Sequence, residues 1–391
     1  MTELQQLINE LCPNGVKFVA LEECCKILDN KRKPVTKAAR QAGEYPYYGA
    51  NGIQDYVSDY IFDGIFVLVG EDGSVVTPSG NPVVNWATGK IWVNNHAHII
   101  EEKDGVLLRY LYHYLQTVNV SALIHGNIPK LTGGDFRAIK VPVPPLPVQS
   151  EIVRILDNFT ELTAELTAEL TARKQQYAHY RDTLLKLDNN VPSYTLKDIC
   201  LSIADGDHMP PPKADSGVPF ITISNITETR QIDFSNVMYV PREYYDKLAD
   251  KRKAKRDDIL YTVVGSFGIP VHISSKTEFV FQRHIAILRP NQQMIVPRYM
   301  YHIMQSTEFY KQANKAAKGA AQRTIGLSSL GNMTIPLPSI EEQERIVAIL
   351  DRFDTLCNDI SAGLPAEIEA RQKQYEYYRD KLLTFKELIA N

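Results

Sequence analysis

Several things are scarce in this chain, and each absence removes a class of function. There is no G-x-G-x-x-G and no G-x-x-x-x-G-K-[ST] loop, so no nucleotide cradle is visible. The [DNS]-P-P-[YFW] tetrad of amino-methyltransferases is missing, and Met209-Pro210-Pro211-Pro212 does not fit it. No Pro-Asp step occurs, which argues against a PD-type nuclease core. The five cysteines (Cys12, Cys24, Cys25, Cys200, Cys357) form no C-x-x-C pair and have no histidine at metal spacing. They read as free thiols in a reducing cytoplasm. No secretory core opens the sequence, and no run approaches 18 apolar residues, so neither export nor a membrane span is expected. The charges nearly cancel: 43 Lys and Arg against 46 Asp and Glu give −3. Any contact with nucleic acid must therefore use local basic surface.

What is present is a duplication. The stretch Gln149 to Leu187 is matched by Gln343 to about Phe385. Within them QSEIVRILDNF lies over QERIVAILDRF, and RKQQYAHYRDTLL over RQKQYEYYRDKLL. Gln149 to Gln343 is a shift of 194, and Arg173 to Arg371 one of 198, so the second copy carries four extra residues. Each copy is predicted to be a long amphipathic helix. Ile152, Leu156, Phe159, Leu162, Leu166, Leu170, Tyr177, Leu184 and Leu187 step mostly by three or four. A helix of that length spans roughly 58 Å and cannot bury its stripe alone. Its partner is the second copy, through Ile346, Leu350, Phe353, Leu356, Ile360, Tyr375, Tyr378 and Leu382. Pro365 should kink or break that second rod near Gly363.

The rest of the chain repeats too. After a short helix over 1–15, VKFVALEECC (from Val16) matches VPSYTLKDIC (from Val191). NNHAHII lies over QRHIAIL, placing His96 on His284, and RYLYHYL over RYMYHIM, placing His113 on His302. AIKVPVPPL, ending at Leu146, lies over NMTIPLPSI, ending at Ile340. Strands are predicted at Ile65 to Val69, Val83 to Trp86, Ile91 to Val93, Phe220 to Ile223 and Ile259 to Val264. The expected layout is an N-terminal helix (1–15), a first domain (16–148), a first long helix (149–187), a second domain (191–342), and a second long helix with tail (343–391). The fold class is α+β: two similar mixed α/β domains joined by two long antiparallel helices in a coiled coil, with pseudo-two-fold internal symmetry.

Together these features resemble the specificity subunit of type I restriction-modification systems. The carriers are the straps Val141 to Pro144 and Ile335 to Pro338, the two QxxIVxILDxF starts, the paired QYxYYRD-like segments, and TAEL repeated at Thr163 to Leu166 and Thr167 to Leu170. The TAEL units are similar to the IC subgroup. The resemblance implies that the domains are target-recognition domains, each reading half of an asymmetric bipartite DNA site. It implies helices that set the spacer and dock two methyltransferase subunits, with restriction-translocase subunits joining for cleavage. It implies no cofactor in this chain, with S-adenosylmethionine, ATP and Mg in the partners. Adenine methylation and ATP-dependent restriction would then belong to those partners, in phage defence. The other readings are a DNA methyltransferase-like enzyme and a coiled-coil scaffold without a DNA role.

Base readout calls for Arg, Lys, Asn, Gln and small residues on loops, and phosphate contact for Lys or Arg. In the first domain the candidates are Lys31, Arg32 and Lys33, then Tyr47, Tyr48 and Asn51 in the loop Tyr47 to Gly52, then Asn127 and Lys130 in the segment His125 to Lys130. In the second they are His208, Asn225, the run Lys251, Arg252, Lys253, Lys255 and Arg256, then Ser266, Arg283, Gln322 and Arg323. Gln322-Arg323 stands in the place of the Asn127 to Lys130 loop. The KRKAKR run is equally readable as a solvated helix face. His96-x-His98 could suggest a metal, but it lies in an apolar, strand-like run without further ligands, so core or surface histidine is expected. His113 and His302 are expected to pack or to meet a partner rather than to ligate.

Overall fold

The computed structural model describes residues 3–73, 75–188, 190–320, 322–359 and 361–388. Ile360, one of the stripe residues, lies outside them. The chain divides into two compact units. Unit 1 is Met1–Ala164 with Ala370–Asn391, and unit 2 is Glu165–Glu369.

Unit 1 opens with α1 (Glu3–Leu11), β1 (Lys17–Ala20), α2 (Leu21–Cys24) and β2 (Lys26–Ile27). A hairpin follows, β3 (Ala42–Gly49) and β4 (Gly52–Val57), then the long strands β5 (Phe62–Gly70), β6 (Val84–Val93) and β7 (Ala97–Glu101). The rest is α3 (Leu108–Leu115), a two-rung hairpin of β8 (Ile124–His125) and β9 (Lys130–Leu131), α4 (Gly133–Ala138) and β10 (Lys140–Val143). From there the chain enters α5 (Leu146–Leu184). The six-stranded sheet has the order β2-β7-β5-β6-β3-β4. The predicted strand over Ile65 to Val69 lies within β5. The two predicted strands Val83 to Trp86 and Ile91 to Val93 are one strand, β6. Its polar middle, Thr88-Gly89-Lys90, is exposed but stays paired to β5, with Gly64 opposite Gly89. The stretch read as a loop at Tyr47 to Gly52 is instead the end of β3, a tight turn and the start of β4. Gly52 has φ +104° there, a conformation that L side chains resist.

Unit 2 repeats the plan with β11 (Ser193–Thr195), α6 (Leu196–Ile199), β12 (Cys200–Asp205), β13 (Val218–Ile221), β14 (Met238–Val240) and α7 (Arg242–Asp246). Next come β15 (Ile259–Thr262), β16 (Pro270–His272), β17 (Val280–Phe281) and β18 (Ile285–Pro290). It ends with α8 (Pro297–Ile303), α9 (Thr307–Ala316), α10 (Leu327–Gly331), β19 (Thr334–Pro336), α11 (Ile340–Asn358) and α12 (Leu364–Leu382), whose last turns belong to unit 1. Its four-stranded sheet, β12-β18-β15-β16, is the counterpart of β2-β7-β5-β6. Val67 pairs with Ile100 and Trp86 in one sheet; Ile259 pairs with Leu288 and His272 in the other. The KRKAKR run is not a helix face: it forms a short 3-10 turn at Asp250–Arg252, and Lys255 and Arg256 enter a second turn.

Both straps are strands. β10 pairs antiparallel with β1, and β19 with β11. Each strap ends on a duplicated glutamine. The Gln149 carboxamide accepts from Leu107 N at 2.9 Å and donates to the Pro144 and Gly105 carbonyls. Gln343 accepts from Val296 N at 2.8 Å and donates to the Pro338 and Met294 carbonyls. These bonds satisfy the exposed donor at the start of α3 or α8 and close the strap with one side chain.

The predicted stripe on α5 faces inward. Ile152, Leu156 and Tyr177 are buried, and Leu162, Leu166 and Leu170 are half-buried between exposed alanines and glutamates. In unit 1, Phe159 of α5 stacks on Tyr378 of α12. In unit 2, Tyr177 and Tyr180 of α5 stack on Phe353 of α11. The second rod breaks where Pro365 predicts. α11 stops at Asn358, Asp359 Oδ1 accepts from Ser361 N and Ala362 N, and α12 restarts at Leu364 with Pro365 in its first turn. Gly363 is forced by proximity, since a Cβ there would stand 2.5 Å from the Thr355 carbonyl oxygen.

Candidate nucleic-acid interface

Two constellations recur in the two units, one a buried set of side chains and one a backbone frame that carries exposed loop residues. The buried one joins three duplicated motifs. His113 sits on α3, fully buried, with Nε2 2.8 Å from Asp157 Oδ1 on α5 and Nδ1 3.0 Å from the Tyr375 hydroxyl on α12. His302 on α8 repeats this with Asp351 at 2.6 Å and Tyr177 at 2.9 Å. A carboxylate only accepts, so Nε2 carries the proton and Nδ1 accepts from the phenol. Burial lowers both histidine pKa values, against the opposing pull of the aspartates. Burial raises the aspartates, but the hydrogen bonds from histidine and arginine outweigh it and hold both below their usual range. Arg109 and Arg298 complete the sets at 2.8 and 2.6 Å from the same carboxylates. Both histidines are thus packing groups with their ring nitrogens fully engaged.

The second constellation is the backbone frame. In unit 1, Glu71 N donates to His96 O, Leu131 N to Glu71 O, and Gly73 N to Pro129 O, at 2.8, 2.8 and 3.0 Å. In unit 2, Val263 N donates to His284 O, Ile325 N to Val263 O, and Gly265 N to Arg323 O, at the same three distances. The two frames therefore put Asn95-His96 over Arg283-His284, and the 127–130 loop over the segment containing Gln322 and Arg323. Sequence alone had placed that loop correspondence. What the frames carry differs. In unit 2, Asp205, His208, Arg283, His284 and Gln322 line one cleft of about 340 Å³. His208 Nε2 lies 2.6 Å from Asp205 Oδ2. Burial lowers the His284 pKa, and the neighbouring Arg283 charge adds to that.

The other candidates separate by where their polar atoms go. Lys31, Lys33, Asn51 and Asn127 are exposed in unit 1, as are Lys251, Lys255, Arg256 and Ser266 in unit 2. Lys255 pairs with Asp250 at 2.9 Å, and Arg256 stands 3.8 Å from Asp257. Arg32 is turned inward. Its guanidinium meets Glu71 at 2.6 Å and the Ala97 carbonyl at 2.6 Å. Lys130 meets the other Glu71 oxygen at 3.2 Å. Tyr47 is buried with its hydroxyl on Val35, and Tyr48 is buried beside it. The Asn225 amide is buried and donates to the Asp233 and Asn236 carbonyls. Arg252 reaches Asp205 and Asp207, Lys253 donates to the Asp246 carbonyl, and Arg323 holds Asn314 at 2.6 Å.

Asp29, Glu71 and His98 offer donor atoms within 4.8 Å of one another. Arg32 and Lys130 neutralise the carboxylates, and His98 has Nδ1 on Asp29 at 2.7 Å and Nε2 on the Leu131 carbonyl at 3.0 Å. The group is an internal ion-pair network beneath the frame. His98 is a core residue, and His96 lies on the surface against Asp72. Sequence reasoning passed over Asn95 and held Ile128 only as part of the candidate segment His125 to Lys130. The signal for Asn95 was its alignment under Arg283; for Ile128 it was an isoleucine in a Gly-Asn-x-Pro tip.

Two repeats built on one strap-and-helix plan, each offering a polar loop frame, define a two-headed recognition protein without a catalytic constellation among the described residues. The model of the type I restriction modification DNA specificity domain matches residues 13–173 and again 189–370, and the chain belongs to that family. It is 38% identical over 386 residues to a Haemophilus influenzae protein bearing the type I specificity-subunit name S.HindORF215P, covering 95% of this chain and 96% of that one. It is 37% identical over 303 residues to the EcoR124I/EcoR124II specificity subunit of Escherichia coli, covering 73% and 72%. The fold is similar to the crystal structure of the type I S subunit from M. genitalium, with a TM-score of 0.58 at 15% identity over 94% of this chain and 96% of that one. No helix of the described residues is long and apolar enough to cross a membrane.

Proposed function

We propose that this chain is the DNA-reading, non-catalytic subunit of a type I restriction-modification complex, with each unit reading one half of an asymmetric bipartite site. The observation that carries the reading is the frame of three backbone hydrogen bonds, present in both units and dressed with different side chains. One scaffold used twice with different residues is what two unlike half-sites require. Lys31, Lys33, Lys251, Lys255 and Arg256 serve phosphates. Asn51, Asn127, His208, Ser266, Arg283 and Gln322 serve bases or sugars. Arg32, Tyr47, Tyr48, Lys130, Asn225, Arg252, Lys253 and Arg323 brace the loops that carry them.

Catalysis belongs to partners: two methyltransferase subunits binding S-adenosylmethionine and docking on the long helices, and ATP- and Mg-dependent translocase-nuclease subunits, all in the cytoplasm. The TAEL units, those of the IC subgroup, set the spacer. Four helical residues add about 6 Å and about 40°, and one base pair turns DNA by about 35°, so the rotations nearly match. The test is single-molecule methylome sequencing of a host expressing this chain with its cognate methyltransferase. The expected result is one asymmetric bipartite adenine-methylated motif that disappears without this chain. Methylation that ignores the chain defeats the reading.

A further inference from the structure

We propose that residues 95 and 128 in unit 1, and 283 and 322 in unit 2, are equivalent pairs of base-reading positions; this rests on the DNA-reading role above. The frame hydrogen bonds fix the correspondence. Asn95 and Arg283 each precede the histidine whose carbonyl accepts the first bond. Ile128 and Gln322 each precede the residue whose carbonyl accepts the third. The scaffold is shared, and the four side chains are all exposed. Arg283 and Gln322 face one cleft. Ile128 is 70% exposed at its hairpin tip, an apolar side chain with nothing covering it. A position that keeps its backbone and changes its chemistry is where two half-sites can come to differ.

The chemistry then assigns base classes. Arginine matches the O6 and N7 acceptors of guanine, glutamine and asparagine match the N7 acceptor and N6 donor of adenine, and an exposed isoleucine matches the thymine methyl. Unit 2 is accordingly assigned a guanine and an adenine contact, and unit 1 an adenine and a thymine contact.

Two unit 2 variants, Arg283→Asn and Gln322→Ile, take the unit 1 residues. Asn95→Arg and Ile128→Gln do the reverse, and Gln322→Ala and Ile128→Ala remove the readers. Each is assembled with its methyltransferase subunits, scored by methylome sequencing, and tested in competition binding against a library randomised in one half-site. The expected result is altered base preference at one or two positions of a single half-site. Discrimination there should fall by about tenfold, within the ~5–150-fold that one good base contact supplies. The other half-site and the spacer stay unchanged. If variants that melt like wild type select the same bases within about twofold, the proposal fails. Equal loss of affinity for cognate and scrambled DNA also overturns it. A wild-type chain that selects no motif sinks the DNA-reading role itself, which separates the two failures.

Discussion

The Tyr375 hydroxyl lies 3.0 Å from His113 Nδ1, although 262 residues separate them in the chain. Tyr177 does the same for His302 at 2.9 Å, so each unit borrows its tyrosine from the other repeat's long-helix segment. Tyr375→Phe and Tyr177→Phe each leave a buried imidazole nitrogen without a partner. Each should cost about 1–3 kcal/mol, read as a lower midpoint in thermal denaturation of the full chain. An unchanged midpoint would show that the contact is incidental.

The same histidines set a pH dependence. Burial depresses His113 and His302 below the ordinary imidazole value of 6.5, so the unfolded chain takes up protons first as the pH drops. Their contribution is complete above 6.5 and is lost as the pH falls towards the folded values. Asp157 and Asp351, held below 3.8, add a second loss as the pH falls further, through their own folded values. The melting temperature should be flat between pH 7 and 8, decline below about 6.5, and drop more steeply in strong acid. In His302→Gln the first decline should shrink. A melting temperature constant from pH 8 to 5 would remove the argument.

Basic residues should fall into two kinds. Arg32→Ala removes one of the two cations on Glu71 and the donor to the Asp29, Asn95 and Ala97 carbonyls, and should destabilise unit 1 by about 3 kcal/mol, as breaking a partly buried ion pair does. Lys251→Ala and Arg256→Ala should leave melting within about 0.5 kcal/mol. They should instead weaken DNA binding and reduce the slope of log affinity against log salt by about one each. Filter binding of the assembled complex from 50 to 200 mM salt, beside calorimetry, separates the kinds; equal slopes would remove the two residues from the interface.

One TAEL unit more or fewer should move the spacer of the methylated motif by about one base pair while both half-sites persist. Motif mapping of insertion and deletion variants measures it directly. A spacer that ignores the helix would reduce TAEL to good helix-forming sequence.

The duplication was legible because its carriers are long motifs that match closely between the two copies. Gln149 and Gln343, His113 and His302, and the glycine-proline break of the second rod could all be placed from residue order. The division of β6 into two strands failed because Thr88-Gly89-Lys90 looks like a turn, whereas an unbroken ladder with β5 holds it extended. The hairpin at Tyr47 to Gly52 was hidden for a related reason: Gly49, Asn51 and Gly52 suggest a loop, and only pairing with β4 and β6 shows strand. Charge was the poorest guide. Arg32 and Lys33 are neighbours of the same sign, yet one feeds a buried network and the other is exposed, a difference set by Glu71, 39 residues away from Arg32.

Synthesis order follows from where the borrowed residues lie. Unit 2 is one uninterrupted stretch, so a ribosome delivers every residue it needs before finishing the chain. Unit 1 emerges first yet waits. Val16 is bonded to Lys386 and Leu388, and His113 to Tyr375, so its closure depends on some of the last residues translated. At about 5–20 residues per second, the stretch from Glu369 to Leu388 keeps the earlier-made head open for about one to four seconds after the later one can shut, and a message truncated before Tyr375 leaves it open permanently.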